Sequence, residues 1–316
     1  MRNEGTILPK QTVQGHLAAA LTILIWGTTF ISTKVLLRDF APVEILFFRF
    51  CIGFLALLVI CPRRLRSTGW KQERYFLFAG LTGVTLYFLL ENIALTYSLA
   101  SNVGVIISVA PFFTALLAHF FLNGEPLRSG FFIGFAVALA GIALISFNGA
   151  AVLRLNPLGD LLALLAALVW AVYAVLTRRI AAFGCPTVQA TRRVFFYGLL
   201  FMLPALLFTD FHWGFARFAN PMLLFNILYL GLGASALCFV TWNFAVRRLG
   251  AVKTSVYIYC VPVITVATSV IVLRERITPL AAGGVLLTLA GLVLSERNPG
   301  KGDVSVCPKA DKSASW

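Results

Sequence analysis

Acidic residues are scarce in this 316-residue chain: 12 Asp and Glu stand against 26 Lys and Arg, and charged residues make up only 12%. A soluble domain carries about 25% charge, so a water-facing globule is excluded as the main architecture. Histidine is scarcer still. His16, His119 and His212 are scattered, with no H-E-x-x-H and no nearby carboxylate pair to complete a metal site. The six cysteines (Cys51, Cys61, Cys185, Cys238, Cys260 and Cys307) show no CxxC spacing, so neither a disulfide framework nor a thiolate metal site is indicated. A P-loop and a G-x-S-x-G elbow are also missing. The stretch "GLGASA", Gly231 to Ala236, fits G-x-G-x-x-A formally but lies in an apolar run instead of a strand-to-helix turn. No enzyme chemistry, cofactor or metal is expected.

What fills the chain is apolar. Hydrophobic residues make up 59% of it, and the mean hydropathy is +0.89. Runs long enough to cross a hydrocarbon core of ~30 Å at the helical rise of ~1.5 Å recur along the whole length. Ten are predicted, at 16–37, 44–61, 75–97, 101–122, 130–147, 157–178, 190–209, 222–245, 251–273 and 279–295. The expected class is an all-α membrane protein with ten transmembrane helices and no interval long enough for a folded soluble domain. The first run leads into nine more, so it reads as a span and not a cleavable leader, although Ala18–Ala20 resembles a cleavage site. Residues 1–15 and 296–316 are expected to be tails. The second, "ERNPGKGDVSVCPKADKSASW", is polar and lysine-rich, a composition expected to be disordered.

A net charge of +14 could suggest nucleic acid, but the placement of the charges points to topology. With the N-terminus inside, seventeen basic residues fall in cytoplasmic segments: Arg2, Lys10, Arg63, Arg64, Arg66, Lys71, Arg74, Arg128, Arg178, Arg179, Arg247, Arg248, Lys253, Arg297, Lys301, Lys309 and Lys312. Five fall outside: Arg38, Arg154, Arg217, Arg274 and Arg276. The positive-inside rule therefore puts both termini in the cytoplasm, in a bacterial-type inner membrane whose lipids are natural partners. Lys34, Arg49, Arg192 and Arg193 remain, within or at the edges of spans.

The chain repeats itself. A shift of 144 lays Trp26 on Trp170, Lys34 on Arg178, Pro42 on Pro186 and Arg49 on Arg193. A shift of 151 pairs Asn92 with Asn243, Ala94 with Ala245 and Pro111 with Pro262, and one of 150 pairs Gly134 with Gly284 and Gly141 with Gly291. The first copy is expected over 16–147 and the second over 157–295. Each copy holds five spans, an odd number, so the second crosses in the opposite sense. Two inverted five-helix repeats can exchange conformations around a site between them, the basis of alternating access.

The segments "WGTTF", "ENIALTYSLASNVGVIISVAPFFTALLA" and "NGEPL", with "VWAVYAVLTRR", "NFAVRRLGAVKTSVYIYCVPVI" and "RERITPL" in the second copy, resemble the EamA type of the drug/metabolite transporter superfamily. The resemblance covers roughly residues 16–295. It implies transport of a small molecule, preferably export, and a central cavity surrounded by helices one, three, four, six, eight and nine. It does not choose among amino acids, other metabolites, sugars and drugs. A membrane-embedded enzyme or ligand sensor without flux is the rival reading.

Candidate cavity residues follow from helical spacing and depth. Trp26, Thr29, Phe30 and Thr33 share one face of the first helix, and Trp170, Tyr173, Ala174 and Thr177 share the counterpart face. Trp26 lies ~15 Å deep, away from the interfacial belt, where its N–H needs a partner. The threonines either face the cavity or bond back to their own helix. Tyr87, Asn92, Ser108, Thr241, Asn243 and Tyr257 complete the polar set, whereas Lys34, at a helix end, reaches water.

Charges within spans are costly. Arg49 and Glu91 lie at matched depth, ~7–9 Å below the outer surface; a pair between them is either structural, a gate or a proton-coupling site, and the alternative is Arg49 snorkelling outward. Arg193 has Trp242 and Asn243 where the first copy has Glu91 and Asn92, so it either attracts an anionic substrate group or is solvated or lipid-bound. Pro111 and Pro262 are expected to kink the fourth and ninth helices. Glu125 and Glu275 read as capping or loop contacts. The glycines of the fifth and tenth spans favour close packing, within a monomer or across a homodimer.

Overall fold

Proline and asparagine set where several helices begin. Pro42, Pro157 and Pro221 each occupy the opening turn of a helix, where the missing N–H has no intrahelical partner to lose. Asn156 and Asn220 cap two of these helices, their Oδ1 atoms accepting from Gly159 N at 3.2 Å and Met222 N at 3.0 Å. The computed structural model describes residues 8–63, 65, 69–98, 100–122, 129–146, 156–208, 211–273 and 279–296. Among the described residues all regular structure is helical: α1 (Leu8–Leu36), α2 (Pro42–Ile60), α3 (Trp70–Tyr97), α4 (Ala100–Ile107), α5 (Ala110–Phe121), α6 (Ser129–Ser146), α7 (Pro157–Ala182), α8 (Thr187–Phe208), α9 (Pro221–Leu249), α10 (Ala251–Val256), α11 (Cys260–Leu273) and α12 (Pro279–Glu296), with short 3₁₀ turns at Phe215–Ala219 and Tyr257–Tyr259. Glu125, Glu275 and the tail beyond 296 lie outside the described residues.

Among the described residues six helices are long and apolar enough to cross a membrane: Thr12–Leu36 of α1, Pro42–Ile60, Trp70–Tyr97, Pro157–Ala182, Thr187–Leu207 of α8 and Pro221–Leu249. Four shorter apolar helices, Ala110–Phe121, Ser129–Leu144, Ala251–Ile264 and Ala282–Ser295, accompany them. The runs expected at 101–122 and 251–273 are each interrupted. Ahead of Pro111 the backbone tightens, Val109 N bonding Ile106 O at 3.1 Å and Phe112 N bonding Val109 O at 2.9 Å. Ahead of Pro262 lies the Tyr257–Tyr259 turn. A proline has no N–H for the carbonyl four residues back and its ring crowds that carbonyl, which accounts for a break at this point in both copies.

The helices bury small residues and turn leucine outward, the polarity that suits lipid. On α7, Ala163, Ala166, Ala167, Ala171 and Ala174 are buried while Leu158, Leu161, Leu164, Leu165 and Leu168 are exposed. On α12, Gly284, Thr288 and Gly291 face α6, and Leu286, Leu289 and Val293 face away. A Cβ at Gly134 would meet Gly291 O at 2.7 Å, and one at Gly141 would meet Gly284 O at 2.6 Å. Because residue 134 matches 284 and 141 matches 291, α6 and α12 pack antiparallel and reciprocally, within one chain.

The same reciprocity runs through the bundle. α1 packs on α9 and α11, and α7 packs on α3, α4 and α5; α2 lies on α9 as α8 lies on α3, and α2 and α8 touch each other. The first helix of each copy is thus seated on the third and fourth of the other. Both third helices contain a π-helical stretch, Leu81–Leu86 in α3 and Tyr229–Leu237 in α9. At the shift of 151 the first falls on residues 232–237. In sequence both stretches are ordinary apolar helix.

Candidate functional site

Where α1 and α7 cross the middle of the bundle, the repeat-related tryptophans meet: Trp26 and Trp170 stand edge to face with centroids 5.2 Å apart. Trp242 of α9 packs 5.1 Å from Trp26, and Tyr87 of α3 packs 4.8 Å from Trp170. The Trp26 indole N–H donates to Ala234 O, 3.0 Å away in the π-helical stretch of α9. Trp170 occupies the equivalent position but finds no acceptor for its Nε1 among the described residues. The threonine alternatives both hold at Thr29, which bonds back to Trp26 O at 2.8 Å and still lines the space beside it.

That space is a cavity with about 40 Å³ in which water centres fit, room for about three waters. Of the residues expected on sequence grounds, Trp26, Thr29, Arg49, Tyr87, Glu91, Ser108 and Trp170 line it. Phe30, Phe88, Gly104, Ile107, Ile258 and Val261 complete the wall, so both copies contribute. Phe30 shares the Trp26 helical face; the others are apolar or glycine and carried no polar signal in sequence.

Arg49 and Glu91 share the cavity, and although among the described residues no ion pair joins them, their charges act on each other across it. Arg49 Nε donates to Ser235 Oγ at 3.0 Å, and its guanidinium carbon sits 4.3 Å from the Phe88 ring centroid. Tyr87, one helical turn before Glu91 on α3, shares its helical face and the cavity wall. Glu91 Oε2 is buried and has no hydrogen-bond partner among the described residues.

Comparison with known proteins places this arrangement. The model of the EamA-like transporter family matches twice, over residues 13–147 and 157–297. The chain belongs to the EamA-like transporter family. An "Uncharacterized transporter" of Archaeoglobus fulgidus is 30% identical over 288 residues, 89% of this chain and 96% of the relative. A protein of Streptantibioticus cattleyicolor named "Probable terminal-alkyne amino-acid exporter" is 30% identical over 281 residues, 89% of this chain and 92% of its own. A solved structure titled "Crystal structure of protein" shares the fold, with a TM-score of 0.70 at 22% identity, covering 91% of this chain and 96% of that one. The chain is a multi-pass membrane protein of a transporter family.

Other expected site residues of this EamA-like chain lie away from the cavity. Arg193 is the clearest correction: it pairs with Glu73 Oε2 at 2.8 Å, donates to Leu65 O at 2.6 Å, and the same Glu73 accepts from Tyr197 at 2.6 Å. Its carboxylate comes from the first copy, at a position the shift of 151 does not indicate. Asn92 donates to Pro42 O at 3.2 Å and tethers α3 to the start of α2. Thr33 is buried, and Lys34 donates to Ser98 O at 3.4 Å instead of only reaching water. Tyr173 donates to Asn243 at 2.9 Å, Asn243 donates to Thr191 at 3.0 Å, and Thr177 bonds back to Ala174 O. Thr177 and Asn243 line a second, smaller space with Cys185 and Arg247. Tyr257 meets His16 Nδ1 at 2.6 Å, and Thr241 meets Thr22 at 2.6 Å, two contacts that join α1 to the second copy.

Proposed function

We propose that the protein is a secondary active transporter in which two inverted five-helix repeats, over 16–147 and 157–295, work by alternating access in a cytoplasmic membrane with both termini inside. On this reading the four shorter apolar helices cross the membrane too, giving ten, with residues 1–15 and 296–316 as cytoplasmic tails. The cargo is a small metabolite, an amino acid or a similar amphipathic solute, moved outward. The observation that carries the reading is a cavity walled by both copies, with the two equivalent tryptophans meeting beside it. The reciprocal packing of α6 on α12 and of α1 and α7 on the opposite third helices supports inversion, because an axis that exchanges antiparallel helices lies in the membrane plane. A relative named as an amino-acid exporter supports the cargo class.

Glu91 is the proposed proton-coupling group, since a buried carboxyl in a cavity can exchange a proton for a bound cation as access alternates. Purified protein in liposomes tests both statements. Candidate solutes should cross saturably and faster when a pH gradient is imposed; ligand binding or turnover without flux overturns transport. Glu91→Gln should remove the response to the pH gradient while leaving downhill exchange measurable, and an unchanged response removes Glu91 from coupling.

A further inference from the structure

Resting on the transport reading, we propose that the cavity binds its cargo as a compact zwitterion, the ligand's carboxylate on Arg49 and its ammonium on Glu91. Both side chains are almost wholly enclosed, Arg49 at 2% and Glu91 at 5% exposure, and both line one space. Buried opposite charges in one cavity ordinarily satisfy each other, because each is penalised while it lacks a partner. Here no ion pair joins them among the described residues: Arg49 is engaged by Ser235 and the face of Phe88, and Glu91 stands beside Tyr87 on the same wall. Among the described residues the carboxyl atom Oε2 has nothing to accept from, and the indole N–H of Trp170 on the same wall has nothing to donate to.

One ligand carrying both charges answers all of these groups at once. An ammonium donates to Glu91 Oε2, and a carboxylate accepts from the guanidinium and from the Trp170 N–H. A plain anion leaves Glu91 unpartnered, and a plain cation leaves Arg49 so. The remaining wall, with Trp26, Phe30, Ile107 and Val261, is apolar, so the substituent between the charges is apolar too; a ligand the size of valine is larger than this closed space, and its entry requires the wall to open.

Titration calorimetry on the full chain in detergent tests this with L-valine, its methyl ester, isobutylamine and isovalerate, which share the isobutyl unit and differ in which charged groups they carry. Valine should bind at least about tenfold more tightly than each of the other three, the discrimination expected when a buried charged partner is left unpaired. Glu91→Gln should weaken valine by a similar factor while changing isovalerate little, and Arg49→Gln should weaken valine and spare isobutylamine. Ester, amine or acid binding as tightly as valine overturns the proposal, as does Glu91→Gln weakening valine and isovalerate alike, or the absence of binding by valine and its apolar homologues at millimolar concentration. The analogue series on the unmutated chain decides the matter even if a variant fails to fold. The expected charge pattern in binding, without flux in liposomes, upholds the zwitterion site and overturns transport; flux shared equally by valine, its ester and its acid does the reverse.

Discussion

Substituting alanine for Gly83 drives a methyl group into the ring of Tyr173. A Cβ built there lies 2.1 Å from Cδ2, 2.4 Å from Cγ and 2.5 Å from Cε2. Carbon atoms in contact need about 3.5 Å, so ring or helix must move by roughly 1 Å or more. Tyr173 has little freedom to move: it is fully buried, its hydroxyl donates to Asn243 at 2.9 Å, and its ring packs 4.9 Å from Trp170. Overpacking of this kind costs about 1–3 kcal/mol. Losing the phenol hydrogen bond adds about 1 kcal/mol, and alanine's preference over glycine within a helix offsets about 0.5–1 kcal/mol. The net is a loss of about 1–3 kcal/mol. Gly104 is the matched control. It lines the cavity, and a Cβ there would have nothing within 4 Å, so alanine adds a methyl to the void without displacing the wall. Thermal unfolding in detergent, followed by tryptophan emission, should show Gly83→Ala lowering Tm by about 2 °C or more and Gly104→Ala holding it. Flux in liposomes should fall for Gly104→Ala because the void is smaller. A Gly83→Ala protein as stable as the parent, or a Gly104→Ala protein equally destabilised, refutes this account of the packing.

Trp26→Phe strands the Ala234 carbonyl inside the bundle and should cost about 1–3 kcal/mol, whereas Trp170→Phe removes an N–H with no acceptor and should cost less; comparing their Tm values checks the order. Arg217 bonds both carboxylate oxygens of Glu44, at 2.8 and 3.1 Å, and Glu44 also accepts from Ala41 N and His212 N. A double-mutant cycle with Glu44→Gln and Arg217→Gln should therefore return a coupling of about 1–2 kcal/mol, discounted for the partly exposed arginine. Gly141→Ala should destabilise more than Gly104→Ala, since its methyl meets Thr288 N at 2.5 Å and backbone can yield only by separating α6 from α12; Tm again decides. Arg193→Gln should lower Tm without altering the charge discrimination of ligand binding, because Arg193 is committed to Glu73 and Leu65.

Most of the helical framework was legible because a span leaves a strong signal, an apolar run of bilayer length. The repeat was legible because matching prolines, glycines and tryptophans keep one order. The π-helical stretches were not, since "LTGVTL" and "YLGLGASAL" differ from ordinary apolar helix only in how the backbone closes its hydrogen bonds. At the site, Trp26, Arg49, Tyr87, Glu91 and Trp170 stood out as polar or aromatic residues inside apolar spans. Helical spacing could not say which polar group meets which across the bundle. Arg49 meets Ser235, 186 residues away, and Arg193 meets Glu73, 120 residues away. Neither distance equals the repeat shift, so alignment of the copies gave no hint of either partner.

Duplication made the backbone nearly two-fold while the charges departed from it, and that departure bears on how many ligands the protein holds. A symmetric pair of arginines would give two equivalent anion sites, one per copy. Arg49 keeps one bond, to Ser235, and faces the cavity, while Arg193 is tied down by Glu73 and the Leu65 carbonyl. The tryptophans diverge in the opposite sense: Trp26 of the first copy is bonded to Ala234, and Trp170 of the second keeps its N–H. The groups left for a ligand are therefore Arg49 and Glu91 from one copy and the Trp170 N–H from the other. A single solute lying off the symmetry axis, against α2 and α3, meets all three, and binding should accordingly saturate at one equivalent per chain.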